Sequence, residues 1–101
     1  MEVDKTTSRF GVTLTLRGEL DHHAALAARS MIRDTVEQDL PGKLVLDLSG
    51  LSFMDSSGIA VVMGAQRACD GIGAGLSVVG TPGIAMRIFQ AAGIPGRVKF
   101  E

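Results

Sequence analysis

Two runs of strict alternation constrain this chain more than any other feature. In the first, Val12, Leu14 and Leu16 alternate with Thr13, Thr15 and Arg17; in the second, Leu44, Leu46 and Leu48 alternate with Lys43, Val45 and Asp47. A period of two sends successive side chains to opposite faces, so each run reads as a strand with one face buried. Between the runs, Ala25, Ala28, Ile32, Val36 and Leu40 recur at helical spacing, which marks a helix that buries one side. Strand, helix and strand in that order call for a crossover between parallel strands, and such crossovers are right-handed. A parallel sheet covered on both faces would have nearly all-apolar strands. These strands keep a polar side, so helices are expected mainly on one face, with the other face partly wet.

The rest of the chain repeats the unit. Asp21 is expected to cap the first helix, and Pro41-Gly42 to stop it. Ser49-Gly50 reads as a turn closing the second strand. A helix is expected from about Ser57 to Cys69, with Ile59, Val62, Met63 and Gln66 on its inner stripe. Glycine in Asp70-Gly71-Ile72-Gly73 supplies its left-handed cap. Leu76 to Val79 is a short strand. Thr81-Pro82 opens a last helix, with Ile84, Ala85, Ile88, Phe89 and Ala92 turned inward and Gly93 as its cap. Arg97 to Phe100 is a final edge strand, and Met1 to Ser8 is an edge strand or a frayed arm. The expected order is β(β)-α-β-α-β-α-β. That is one α/β domain over residues 1–101, with a mixed, mostly parallel sheet of four to five strands.

Composition excludes several classes of function. Hydrophobic residues make up 46% of the 101, enough for one core and too many for disorder. The four aromatic residues are all Phe, so Leu, Ile, Val, Met and Ala must build that core. Net charge is −1 with mixed signs, so no basic field points to nucleic acid or an anionic membrane. Cys69 is the single cysteine and cannot form an intrachain disulfide. The N-terminus is charged rather than a signal peptide. The longest charge-free run, 71–86, is interrupted by glycines and a proline and is too short to span a bilayer. A reducing cytoplasm is the expected compartment.

Ligands of open α/β sheets gather beyond the carboxyl ends of the strands. Two such ends carry reactive groups: one Glu19, Asp21, His22 and His23, the other Asp55, Ser56 and Ser57. If their strands are parallel neighbours, the two loops sit side by side. Asp55 or Ser56 can simply cap the helix that follows. Ser56 can also be a phosphorylation site, because a helix start offers N–H groups and a partial positive charge to a phosphate. Asp55 opposes this by like-charge repulsion. Phe53 is expected in the core, and Met54 and Met86 are candidates for an adaptable contact surface.

Other chemistries fit less well. His22 and His23 point about 100° apart on a helix and lack further ligands, so no metal is expected. A small serine hydrolase would use Ser56 or Ser57 with one of these histidines, but Met54 stands where a nucleophile elbow needs glycine. Asp47 as a receiver-type phosphoacceptor would need a later strand-end lysine, and Val79-Gly80-Thr81 has none. Gly71-Ile72-Gly73-Ala74-Gly75 follows a helix and precedes a strand, the wrong order for a phosphate cradle.

Gly18-Glu19-Leu20-Asp21-His22-His23-Ala24 together with Leu51-Ser52-Phe53-Met54-Asp55-Ser56-Ser57-Gly58 resembles the STAS-domain anti-sigma factor antagonists, in particular the sporulation type of endospore-forming bacteria. The resemblance spans essentially the whole chain and implies a STAS-like β-α superhelix. It also implies a non-enzymatic function without cofactors. The unphosphorylated antagonist binds an anti-sigma factor that is also an ATP-dependent serine kinase, and so releases the sigma factor. The kinase phosphorylates the Ser after the motif Asp, here Ser56, and binding is lost; a PP2C-type phosphatase resets the switch. The implied partner surface takes in Glu19, Asp21, His22, Met54, Asp55, Ser57, Gly58 and Ile59, on a cytoplasmic monomer that touches neither nucleic acid nor membrane. A scaffold in another STAS-type signalling complex is the alternative. Gly64 inside the second helix departs from the usual pattern, at about 1 kcal/mol relative to Ala.

Overall fold

The computed structural model describes residues 1–101. The chain runs β1 (Glu2–Ser8), β2 (Gly11–Leu20), α1 (His22–Asp39), β3 (Lys43–Met54), α2 (Ser57–Ile72), β4 (Gly75–Val79), α3 (Gly83–Ala91), a 3-10 turn (Ile94–Gly96) and β5 (Lys99–Phe100). One five-stranded sheet holds the strands in the order β1-β2-β3-β4-β5. The β1–β2 pair is antiparallel and the other three pairs are parallel. The expected mixed, mostly parallel sheet is therefore present. The N-terminal segment is a full strand, tied across the hairpin by Arg17, whose Nε donates to Asp4 at 2.7 Å.

Register explains the one-sided core. Val12 lies opposite Leu44, which lies opposite Leu76; Leu14, Leu46 and Val78 form the next row. These residues face one way and are buried, within a single apolar cluster that includes Ala25, Ala28, Ile32 and Val36 of α1. The alternate positions Thr13, Thr15, Val45 and Asp47 are only half-buried. The polar side of each strand thus marks the wetter face of the sheet, as the alternation implies.

The two central strands are longer than expected. β2 runs on through Gly18-Glu19, and β3 passes through Ser49-Gly50, where a turn was expected, to reach Met54. Two irregularities make this possible. Thr15 pairs with Asp47 but Arg17 with Gly50, and Gly18 pairs with Leu51 but Glu19 with Phe53. Each bulge adds a residue to β3 and shifts its inward phase. The first turns Leu51 inward, and the second turns Met54 inward and Phe53 out. Phe53 is consequently 48% exposed and Met54 3%, the reverse of their expected roles.

The helices show similar corrections. α2 buries Gly58, Val61, Val62, Ala65 and Cys69, a stripe rotated by about one residue from the expected one. Small residues occupy it because they let the helix backbone approach the sheet, while the bulkier Ile59 and Met63 pack at the edge of the core. On α3, Ala85 and Phe89 are buried as expected, but Ile84 is 66% exposed and Ala92 lies past the helix end. Phe89 stacks against Phe100 of β5 with ring centroids 5.2 Å apart. Leu40, expected on the inner face of α1, is an exposed left-handed C-cap with φ of 45°.

Candidate functional site

Because β2 and β3 are parallel neighbours, their carboxyl ends emerge together. Leu20 pairs with Met54, so Asp21 and Asp55 each follow a residue of the same row. The backbone N–H of Asp55 donates to the carbonyl of Leu20 at 3.4 Å, tying the two loops to each other.

Asp21 is the N-cap of α1: its Oδ1 accepts from the backbone N–H of Ala24 at 2.8 Å. That hydrogen bond, more than any charge, holds the carboxyl below the usual carboxylate range. Glu19, the penultimate residue of β2, and His22 and His23 at the head of α1 are exposed. A shallow cleft runs between Glu19, Asp21, His23 and Met1.

At the second loop Asp55 takes both capping duties of α2. Its Oδ1 accepts from the Ser57 N–H at 2.8 Å, and its carbonyl accepts from the Gly58 N–H at 3.1 Å. Ser56 has helical backbone angles, and its hydroxyl makes no capping hydrogen bond. It is exposed, Ser57 and Ile59 are half-buried, and Gly58 is buried. A side chain at Gly58 would collide with Met54, whose Cγ lies 2.7 Å from where a Cβ would stand. The motif glycine lets the buried Met54 pack beneath the helix start.

The expected site residues thus come together on one end of the sheet, but two of them, Met54 and Gly58, are buried. Met54 is core and supports the loop from below. Asp47 lies within β3, where its Oδ1 accepts from the Ser49 N–H; this is no strand-end acid. Neither histidine bonds Ser56 or Ser57, the side-chain hydrogen bonds at this end being those of Asp21 and Asp55. No group of three or more His, Cys, Asp or Glu converges anywhere in the fold, and no helix is long and apolar enough to cross a membrane.

The model of the STAS domain matches residues 2–101, the span over which the sheet, helices and capped loop have been described. The chain belongs to the STAS family. The anti-sigma F factor antagonist of Lysinibacillus sphaericus is 39% identical over 88 residues, covering 86% of this chain and 74% of the relative. Two solved structures of the anti-sigma factor antagonist SpoIIAA are similar throughout. The unphosphorylated form is 26% identical with a TM-score of 0.76, covering 99% of this chain and 87% of that one. The phosphorylated form, from Bacillus, is 27% identical with a TM-score of 0.76, covering 99% and 91%. This STAS domain is an anti-sigma factor antagonist by its relatives.

Sequence reasoning missed an apolar groove beside the acidic end of this STAS domain. Leu51, Phe53, Met54, Pro82, Ile84 and Ala85 line it, and the exposed Phe53 and Ile84 form its rim. Phe53 stands two residues from Asp55, so charge and apolar surface adjoin. The available signal was the bulged register of β3, which no single alternation pattern reveals.

Proposed function

We propose that this STAS domain is a non-catalytic phosphoswitch whose switching residue is Ser56. Unphosphorylated, it binds its cognate anti-sigma factor and releases the sigma factor. That partner, acting as an ATP-dependent serine kinase, modifies Ser56 and is thereby shed; a PP2C-type phosphatase restores the hydroxyl. The domain, 1–101, works as a cytoplasmic monomer without a cofactor. Its contact surface is Glu19, Asp21, His22, Asp55, Ser57 and Ile59, extended by Phe53 and Ile84 and underpinned by the buried Met54 and Gly58.

The observation that carries this reading is the division of labour at the head of α2. Asp55 satisfies the backbone donors, so the exposed Ser56 hydroxyl is free to be modified without uncapping the helix. Phosphate adds roughly −1.5 to −2 charges at pH 7. Against one carboxylate of the partner at about 4 Å, with an effective dielectric near 20, each charge pair costs about 4 kcal/mol. Since about 1.4 kcal/mol is tenfold in affinity, one modification weakens binding on the order of a thousandfold.

The test is incubation with the cognate kinase and ATP, followed by mass-spectrometric mapping of the phosphate. Modification of Ser57 instead of Ser56 would overturn the assignment. Ser56→Ala is expected to bind the anti-sigma factor and Ser56→Asp to bind far more weakly; equal binding contradicts the electrostatic argument.

A further inference from the structure

A second surface, on the flank formed by the two long helices, carries an excess of positive charge. A groove of about 460 Å³ lies between α1 and α2, lined by Arg29, Arg33 and Arg67 with Val36, Ala68 and Ile72. A methyl group placed on Gly64 would stand 3.8 Å from Nε of Arg29 and 4.0 Å from a terminal guanidinium nitrogen of Arg67. Guanidinium groups from two different helices therefore converge on one point.

The ion pairs of the protein are Lys5–Asp39, Arg17–Asp4 and Lys99–Glu101; none uses an arginine of the groove. Glu37 is the one carboxylate on the wall, and it stays out of pairing distance of all three. Asp70 is held by Gln66 at 2.9 Å, and Arg33 touches only the hydroxyl of Ser30, at 3.5 Å. Like charges brought together without a counter-charge are unfavourable. Three arginines against one acid leave the groove positive in a chain whose net charge is −1.

We infer that this groove is a binding site for a phosphorylated small molecule with an aliphatic remainder. The planar guanidinium fork matches phosphate oxygens, and two forks meeting from opposite sides can hold one phosphoryl group between them. The groove falls in the size range of small-molecule sites and is larger than a phosphoryl group fills. Val36, Ala68 and Ile72 give the remainder an apolar wall. No aromatic ring lines the groove, so its apolar wall is entirely aliphatic. Helical backbone on both sides is committed to its own hydrogen bonds, so an extended acidic peptide finds no main-chain partners. Gly64 leaves the floor open at the point of convergence. The site lies roughly 10 Å along α2 from Ser57 and is separate from the acidic end.

The test is a titration of the isotope-labelled full chain with inorganic pyrophosphate at constant ionic strength, followed by amide chemical shifts. Saturable shifts centred on residues 29–37 and 64–72 are expected. Arg29→Gln and Arg67→Gln should each weaken binding about tenfold or more with an unchanged circular dichroism spectrum, while Arg87→Gln, on α3, leaves it intact. Competition by glycerol 3-phosphate would assign the site to a soluble metabolite. Arginine-dependent sedimentation with phosphatidic acid vesicles would assign it to a lipid headgroup. Shifts matched by sodium chloride, shifts centred on residues 56–59, or affinity unaltered by both substitutions would overturn the proposal. So would saturable binding of hexaglutamate in place of pyrophosphate, which makes the groove a protein-docking surface.

Discussion

Replacing Gly58 by alanine should destabilise the protein even though alanine is the better helix former. In a helix interior that exchange gains about 1 kcal/mol, and Gly58 has no positive φ to defend. The opposing effect is steric. The new methyl would lie 2.7 Å from Cγ of Met54 and closer still to its sulfur. Met54 is 3% exposed and cannot swing into solvent, so the core must repack at about 1–3 kcal/mol. Less that gain, the net loss is up to about 2 kcal/mol, at about 4–8 °C in thermal midpoint for each kcal/mol at this chain length. A double-mutant cycle isolates the contact. Met54→Ala alone should cost about 2–5 kcal/mol. In that background the Gly58 methyl enters the vacated space and becomes neutral or stabilising, which gives a coupling of at least about 1 kcal/mol. Urea denaturation of the four proteins by circular dichroism measures it. An equal cost of Gly58→Ala in both backgrounds would refute the packing argument, as would a single variant more stable than the parent.

Gly64→Ala should have the opposite sign: its methyl meets the two arginines at ordinary contact distance, so thermal melting should report a gain of about 1 kcal/mol. Cys69 is fully buried, and burial, helped by Asp70, pushes its thiol from 9.0 up to about 11. The fold therefore holds a proton that the unfolded chain gives up above pH 9. Stability should fall as pH rises from 9 to 11, by about 3 kcal/mol at most, and Cys69→Ala should lack that part of the alkaline loss in denaturant titrations. The Asp21 carboxyl, held low mainly by the Ala24 N–H, contributes stability above the ordinary carboxylate pKa that is lost as pH falls through its depressed value. Asp21→Asn should melt lower than the parent at pH 7, and the gap should close in acid.

Parts of this fold were legible because they depend on local periodicity alone. The alternation of Val12, Leu14 and Leu16 and of Leu44, Leu46 and Leu48 fixed two central strands and their inner face. The spacing of Ala25, Ala28, Ile32 and Val36 fixed α1, and Asp21 its cap. The failures share a cause, which is that packing between elements does not repeat along the chain. Two bulges in β3 exchange Phe53 and Met54 between core and surface, a decision made by pairing with β2. On α2, burial favours Gly58, Val61, Ala65 and Cys69 over larger neighbours because close approach to the sheet counts for more than side-chain size. The arginine groove was invisible for the same reason, since Arg29 and Arg67 meet only once α1 and α2 are side by side.

The head of α2 is where these two kinds of information combine. Read along the chain, Asp55 and Ser56 are rival caps, and a phosphate on Ser56 has the helix terminus as its receptor. In three dimensions Asp55 has already taken the Ser57 N–H with its carboxylate and the Gly58 N–H with its carbonyl. The positive end of the helix is partly neutralised before any modification arrives. A phosphate placed on Ser56 would gain little from the helix and would be repelled by Asp55, so it would be driven outward from an already exposed residue. The buried Met54 and Gly58 hold the backbone beneath it in place. A switch of the kind proposed would leave its own fold unchanged and act through the charge and bulk it presents to a partner. The discriminating measurement is the amide spectrum of Ser56→Asp: changes confined to residues 54–59 support a charge switch, whereas shifts spreading through α2 into β4 would require a conformational one.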